Sequence, residues 1–200
     1  MSKKGLLIVI SGPSGAGKGT ICKELLNRNK NIKLSISATT RPPRKGEVDG
    51  ENYFFTKKEE FEEMIKNDTL LEYAKVYDNY YGTPEEYVIK NLENGSNVLL
   101  EIDIVGALKV KAKYEEAILI FILPPSLEEL KNRIVGRGTE SEEDIKKRYG
   151  SALDEIEQAI KYDYAVINYD VKRATDDIEA IIRAEGCKMM RMDKIIKKIF

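Results

Sequence analysis

The chain has 200 residues, 42% hydrophobic and 34% charged, which suits one soluble globular domain with insertions and not an array of domains. It holds no His, no Trp and two Cys, so Ser-His-Asp and Cys-His nucleophilic sites, His-ligated zinc and histidine proton shuttles are excluded. Lys+Arg number 33 against 34 Asp+Glu, a net charge of -1, so no overall basic field exists to hold DNA or RNA, and any phosphate-bearing partner must be small and held by local donors.

Met1 to Lys4 run into an apolar stretch that ends at Ser11, too short to cross a membrane and without a small-residue cleavage site. Cys22 and Cys187 lie far apart, without the spacing of a disulfide scaffold, which points to a reducing compartment. The cytoplasm is the expected location, with neither a nucleic-acid nor a membrane partner.

Leu6 to Ile10 form an unbroken apolar run, the pattern of a strand covered on both faces in a parallel sheet. The loop Gly12-Pro13-Ser14-Gly15-Ala16-Gly17-Lys18-Gly19-Thr20 follows. Ile21 to about Asn29 then reads as a helix with Cys22 as buried filler beside Ile21, Leu25 and Leu26. Leu34 to Ser37 is the next expected strand. Arg41-Pro42-Pro43-Arg44-Lys45-Gly46 is an arginine-bearing loop, because its prolines forbid helix. Beyond it are a short strand at Tyr53 to Phe55, a helix capped by Thr56 with Glu59 that carries Phe61, Met64 and Ile65 inward, and a strand from Leu70 to Tyr77 turned at Asp78-Asn79.

Thr83-Pro84-Glu85-Glu86 predicts a helix start with a hydroxyl cap, and Gly95 ends that helix. Buried strands are expected at Asn97 to Ile102, closing on Asp103, and at Ile118 to Leu123. Ser126 with Glu129 caps a helix that carries Arg133 toward Gly136-Arg137-Gly138, and Ser141 opens another that runs through Arg148. A last strand falls at Tyr164 to Ile167, and Thr175 opens the closing helix. From Cys187 the chain is a basic amphipathic segment with Met192, Ile195, Ile196 and Ile199, expected to pack on the body. Strands alternating with helices predict a doubly wound parallel α/β sheet.

The most specific signal is the loop from Gly12 to Thr20. Its Gly-x-x-x-x-Gly-Lys spacing between a buried strand and a helix is that of a phosphate loop, whose backbone N–H groups and helix N-terminus surround phosphates while Lys18 reaches the outer ones. Gly19 stands where a metal-binding hydroxyl usually follows the lysine, and Thr20 comes one residue later. The loop alone suits a GTPase, an ATPase or a small-molecule kinase. The absence of an Asn-Lys-x-Asp motif weakens the first. Two arginine clusters, Arg41 with Arg44 and Arg133 with Arg137 and Arg148, favour a kinase that clamps two phosphate-bearing substrates.

Gly12 to Lys18, Ser37-Ala38-Thr39-Thr40-Arg41-Pro42-Pro43-Arg44-Lys45-Gly46-Glu47, Asn52-Tyr53-Phe54-Phe55 and Asn79-Tyr80-Tyr81-Gly82-Thr83 together resemble the guanylate kinase family of bacterial type, over about Leu6 to Ile182. The resemblance implies transfer of a phosphoryl group from ATP to GMP, and to dGMP, on a three-layer phosphate-loop NTPase-type fold. It divides the chain into core 1–37, a small α+β GMP-binding insertion 38–83, core 84–125, a helical lid 126–157, core 158–186 and the tail 187–200. Carried over by motif, Lys18, Arg133, Arg137 and Arg148 are the catalytic cations. ATP falls to Gly12, Pro13, Ser14, Gly15, Ala16, Gly17, Lys18, Gly19, Thr20, Arg133, Arg137 and Asn168. GMP falls to Ser37, Arg41, Arg44, Tyr53, Glu72, Tyr81, Thr83 and Asp103.

Residue chemistry agrees with these roles. Forked arginines and tyrosine hydroxyls suit the GMP phosphate, and Glu72 can accept from guanine N1–H and N2 amine together, a pattern adenine lacks. Mg²⁺ is expected through the nucleotide phosphates and water, with Thr20 and Asp103 as candidate protein ligands. Val105 occupies a position where the family carries glutamine, which puts one local polar contact in doubt. The alternatives are a non-catalytic binding module on the same fold, disfavoured by Lys18, Arg137 and Arg148, and a kinase for another nucleoside monophosphate, disfavoured by Glu72 and Thr83. Both a monomer and a homo-oligomer remain open.

Overall fold

A computed structural model describes residues 4–76, 78–135, 142–192 and 196, without the side chains of 142–148. Its first strand, β1 (Leu7–Ser11), is buried throughout and lies between two apolar layers. Ile8 and Ile10 pack with Ile21, Leu25 and Ile178 on one side, while Leu7 and Val9 pack with Val88, Leu92 and Val110 on the other. That two-sided burial is why the run shows no alternation. Each such side chain contributes roughly 1.5–3 kcal/mol by leaving water.

Around β1 stand β2 (Ile32–Leu34), β7 (Asn97–Glu101), β8 (Ile118–Leu123) and β9 (Tyr164–Ile167), in the order β2-β7-β1-β8-β9 and with every pairing parallel. Helices α1 (Lys18–Arg28) and α7 (Val171–Gly186) supply one layer, α3 (Glu85–Glu93) and α4 (Ile104–Lys113) the other. Cys22 is buried within the first layer, as expected of filler.

A second sheet, ordered β4-β3-β6-β5, is built from β3 (Ala38–Thr39), β4 (Phe54–Phe55), β5 (Leu70–Val76) and β6 (Asn79–Pro84). Helix α2 (Lys58–Lys66) closes it, with Phe61 stacked on Tyr80 at 5.3 Å between ring centroids and packed with Ala38 and Leu70. A third group, α5 (Leu127–Val135) and α6 (Glu142–Glu157), shares the buried residues Leu130, Ile134 and Ala152.

Several boundaries depart from the expectations. The strand expected at Leu34 to Ser37 lies at Ile32–Leu34, because the chain leaves the main sheet after Ser35 and joins the second sheet at Ala38. Thr56 does not cap α2: its N–H extends the second sheet to Thr39 O at 2.9 Å, and the helix begins at Lys58 with Lys57 N–H donating to Glu60 Oε2 at 3.1 Å. Helix α4 fills a stretch with no predicted element. Thr175 does not open α7 either. Asp170 caps it, accepting from Lys172 N–H and Arg173 N–H, and the Thr175 hydroxyl donates to Val171 O at 2.7 Å inside the helix.

Ser126 does cap α5, accepting from Glu129 N–H at 3.1 Å. The tail begins tied to the body, since the Arg191 guanidinium donates to Glu116 O at 3.1 Å. Tyr77, Gly136, Arg137, Gly138, Ser141, Ile195 and Ile199 lie outside the described residues.

Candidate nucleotide site

The phosphate loop starts where β1 ends. Ser11 Oγ donates to Ile102 O at 2.9 Å and so ties the loop's root to the end of β7. Gly12 has φ 147°, and a Cβ there would overlap the Ile122 carbonyl, so only glycine lets the loop cross β8 this closely. Gly17, at φ 91°, is the N-cap of α1 with no side-chain cap, and the first turn of the helix has no acidic residue to compete with an anion. Lys18 arches back over the loop, its Nζ donating to Gly12 O at 2.5 Å and Pro13 O at 3.1 Å.

Asn168 and Arg133 stand behind the loop. The buried Asn168 amide donates to Ala16 O at 2.8 Å, and Arg133, paired with Glu129 at 2.8 Å, reaches Asn168 O at 3.4 Å. Asn168→Ala leaves a buried carbonyl unpaired, at about 1–3 kcal/mol. Thermal melts are expected to show a correspondingly lower Tm.

The loop floors a cleft of about 450 Å³ that also takes in Thr20, Glu101, Asp103 and Glu155. A second cleft, of about 300 Å³, is lined by Ser37, Tyr53, Glu72, Tyr81 and Asp103 among others. The two share Glu101, Ile102 and Asp103, so they meet at the end of β7. Asp103 is held there as the N-cap of α4, accepting from Gly106 N–H at 2.7 Å.

Glu72 is 7% exposed and receives the Thr83 hydroxyl at 2.8 Å. Thr83, expected to cap α3 and to serve the base, lies in β6 directly opposite Glu72 and orients its carboxylate; α3 begins after Pro84. A Cβ on Gly106 would stand 2.9 Å from Glu72 Oε2, so glycine at that point of α4 leaves the carboxylate room. Burial pushes the Glu72 pKa up to about 7, and Asp103 adds to the rise, while the Thr83 hydroxyl and Lys109 oppose it.

On the far wall Tyr53 and Tyr81 meet edge to face at 6.0 Å. The Arg41 guanidinium lies over the Tyr53 and Phe55 rings at 5.5 and 5.8 Å, and its Nη2 donates to both Glu47 carboxylate oxygens at 2.8 and 2.9 Å. Glu47 accepts Arg44 N–H as well, and its carboxyl is held below the ordinary range chiefly by Arg41. Arg44 is exposed and lines neither cleft. Arg137 lies outside the described residues, as does the side chain of Arg148. Val105 is 59% exposed and lines neither cleft, so the departure from glutamine touches neither.

Glu47, Glu101 and Glu155 were not among the expected site residues. Glu101 is the last residue of β7 and Asp103 caps α4, so both stand where the strand gives way to the helix. No group of three His, Cys, Asp or Glu with metal-holding geometry occurs among the described residues. The hard oxygen donors Thr20, Glu101 and Asp103 on one cleft fit a divalent ion that arrives with a nucleotide.

A parallel sheet with a phosphate loop at its centre and a second polar cleft meeting the loop at one strand end defines a phosphate-loop nucleotide kinase. The guanylate kinase family model matches residues 4–185. The chain is 64% identical over 199 residues to a guanylate kinase of Caldanaerobacter subterraneus subsp. tengcongensis, covering 100% of this chain and 97% of that protein. It is 59% identical over 198 residues to one of Clostridioides difficile, covering 99% and 97%. The crystal structure of guanylate kinase from Anaplasma phagocytophilum matches with a TM-score of 0.77 at 35% identity, over 96% of this chain and 91% of that one. The chain belongs to the guanylate kinase family, whose members are nucleoside monophosphate kinases. Fold class and family are as the sequence predicted. No described helix is long and apolar enough to cross a membrane.

Proposed function

We propose that this enzyme transfers the terminal phosphoryl group of ATP to GMP, and to dGMP, in purine nucleotide metabolism and GMP recycling in the cytoplasm. The observation that carries the reading is the junction of two clefts at Glu101 to Asp103, one floored by the phosphate loop and the other walled by Glu72.

In this reading the loop amides and Lys18 hold the ATP phosphates, and Arg133, Arg137 and Arg148 supply further positive charge around the moving group. Arg41, Arg44, Tyr53 and Tyr81 hold the GMP phosphate, while Glu72 and Ser37 read the base and Thr83 keeps Glu72 in place. The attacking GMP phosphate oxygen is already anionic, so the reaction needs alignment and positive charge and no general base, which agrees with a chain that lacks histidine. Mg²⁺ bound with the ATP phosphates would neutralise charge there, and Thr20, Glu101 and Asp103 would hold its water shell.

The test is ADP formation from ATP with GMP, dGMP, AMP, CMP or UMP as acceptor. Turnover with GMP and dGMP, and loss of roughly 100-fold or more in kcat/KM with AMP, is expected from the unpaired Glu72 acceptor. Activity confined to AMP would refute the assignment of Glu72, and none with any acceptor would favour the binding module.

A further inference from the structure

Helix α4 lays one face against the second sheet. Gly106, Lys109 and Lys113 stand at i, i+3 and i+7 of that helix, within one stripe. Lys109 Nζ donates to Tyr73 O at 2.6 Å, and Lys113 Nζ donates to Leu70 O at 2.9 Å and pairs with Asp68 and Glu85, each at 3.0 Å. The two carbonyls bracket Glu72 in β5, so a retreat of α4 from that carboxylate would break both bonds.

Gly106 is the member of the stripe that meets Glu72 itself. A Cβ on it would stand 2.9 Å from Glu72 Oε2 and 3.2 Å from Glu72 Cδ, inside ordinary van der Waals contact. The other oxygen, Oε1, takes the Thr83 hydroxyl at 2.8 Å. The carboxylate is therefore lodged between a hydrogen bond from β6 and a stretch of helix with no side chain. Glycine does nothing for the helix that bears it, since alanine is the better helix former. The helix is fixed here by its lysines and by the Asp103 cap, which accepts Gly106 N–H at 2.7 Å, whereas the carboxylate is the far end of a flexible side chain. A methyl group at position 106 would displace the carboxylate and leave the fold standing.

We infer that Gly106 is a positioning residue for guanine recognition: by carrying no side chain it lets the Glu72 carboxylate stand against α4, at the place where it accepts from the base. The inference rests on the reading of Glu72 above. Gly106 lines neither cleft, so its effect passes through a neighbour. A Cβ there would also stand 3.3 Å from Asp103 Oδ1, and a double variant separates the two carboxylates.

The experiment compares four full-length proteins, the parent, Gly106→Ala, Glu72→Ala and the two substitutions together, measuring kcat, KM for ATP and GMP, and Tm. Gly106→Ala is expected to raise KM for GMP roughly 10-fold or more, with kcat and KM for ATP within about threefold of the parent and Tm no lower. In the Glu72→Ala background, where the methyl group meets no Glu72 carboxylate, the same substitution should change kcat/KM for GMP by less than about twofold. A Gly106→Ala protein with KM for GMP within about twofold of the parent would overturn the inference. So would an equal loss in the Glu72→Ala background, which would assign the effect to Asp103 or to the helix, or a lowered Tm with both KM values raised, which would mark damage to the fold. Glu72→Ala that matched the parent would strike instead at the reading of Glu72, and a parent inactive with every acceptor at the kinase reading.

Discussion

Lys18→Ala is expected to lower kcat for phosphorylation of GMP by at least about 10³-fold, some 4 kcal/mol of transition-state stabilisation. The ammonium lies over the loop, bonded to Gly12 O and Pro13 O, where the loop amides also gather. Glu101, Asp103 and Glu155 line the same cleft, so removing the lysine leaves three carboxylates facing a polyphosphate. Lys18→Arg is not a conservative replacement, because a planar fork does not occupy the place of a compact ammonium. In the proposed function GMP takes the neighbouring cleft, which Lys18 does not line, so its affinity should stay within about twofold by calorimetry. Loss of one donor to two loop carbonyls that open onto the cleft should cost about 1 kcal/mol in stability. A variant that kept more than half of the parental kcat would refute the role of Lys18.

The parts of the molecule legible in the sequence are those whose causes are local. The phosphate loop is one, since its glycines answer to positive φ and close backbone approach within nine residues of chain. The central strands are another, because burial on both faces writes itself as an unbroken apolar run. Thr83 shows where local reasoning misleads. Thr-Pro-Glu-Glu has the pattern of a helix start, yet the pairing of β5 with β6 sets Thr83 opposite Glu72, and a buried carboxylate is the stronger claimant on the hydroxyl. A two-residue turn at Asp78-Asn79 would set Thr83 opposite Ala74, whereas Val76 pairs with Asn79 and that register brings Thr83 to Glu72. Ser35 to Ala38 misled in another way, since one alternating stretch serves the ends of two different sheets. Glu155 left no local trace, because an acidic residue on an amphipathic helix reads as a solvated face until the helix is docked on the loop.

Glu72→Gln is expected to raise KM for GMP roughly 100-fold or more at pH 8 while making the unliganded protein more stable. The carboxylate is needed because guanine presents two donors, N1–H and the N2 amine, and an amide offers one oxygen and a clashing N–H. Its environment opposes that need, since burial raises the Glu72 pKa from 4.5 to about 7 with Asp103 adding to it and with Thr83 and Lys109 only partly relieving it. A carboxyl raised in the folded state contributes stability that is full below its unfolded value of 4.5 and is lost as pH rises through about 7. At pH 8 the folded protein therefore bears a cost of about 3 kcal/mol that glutamine, which still accepts the Thr83 hydroxyl, avoids. Thermal melts should show the variant several degrees above the parent at pH 8 and the difference closing by about pH 5. Binding carries the opposite sign. Protonation of Glu72 turns one acceptor into a donor facing donors, so KM for GMP in the parent should be about tenfold higher at pH 6 than at pH 8. The GMP phosphate also titrates near pH 6, and its contribution is read from the glutamine variant, in which only that group changes. If the two proteins showed the same change in KM between pH 6 and pH 8, guanine recognition would not depend on the charge of Glu72.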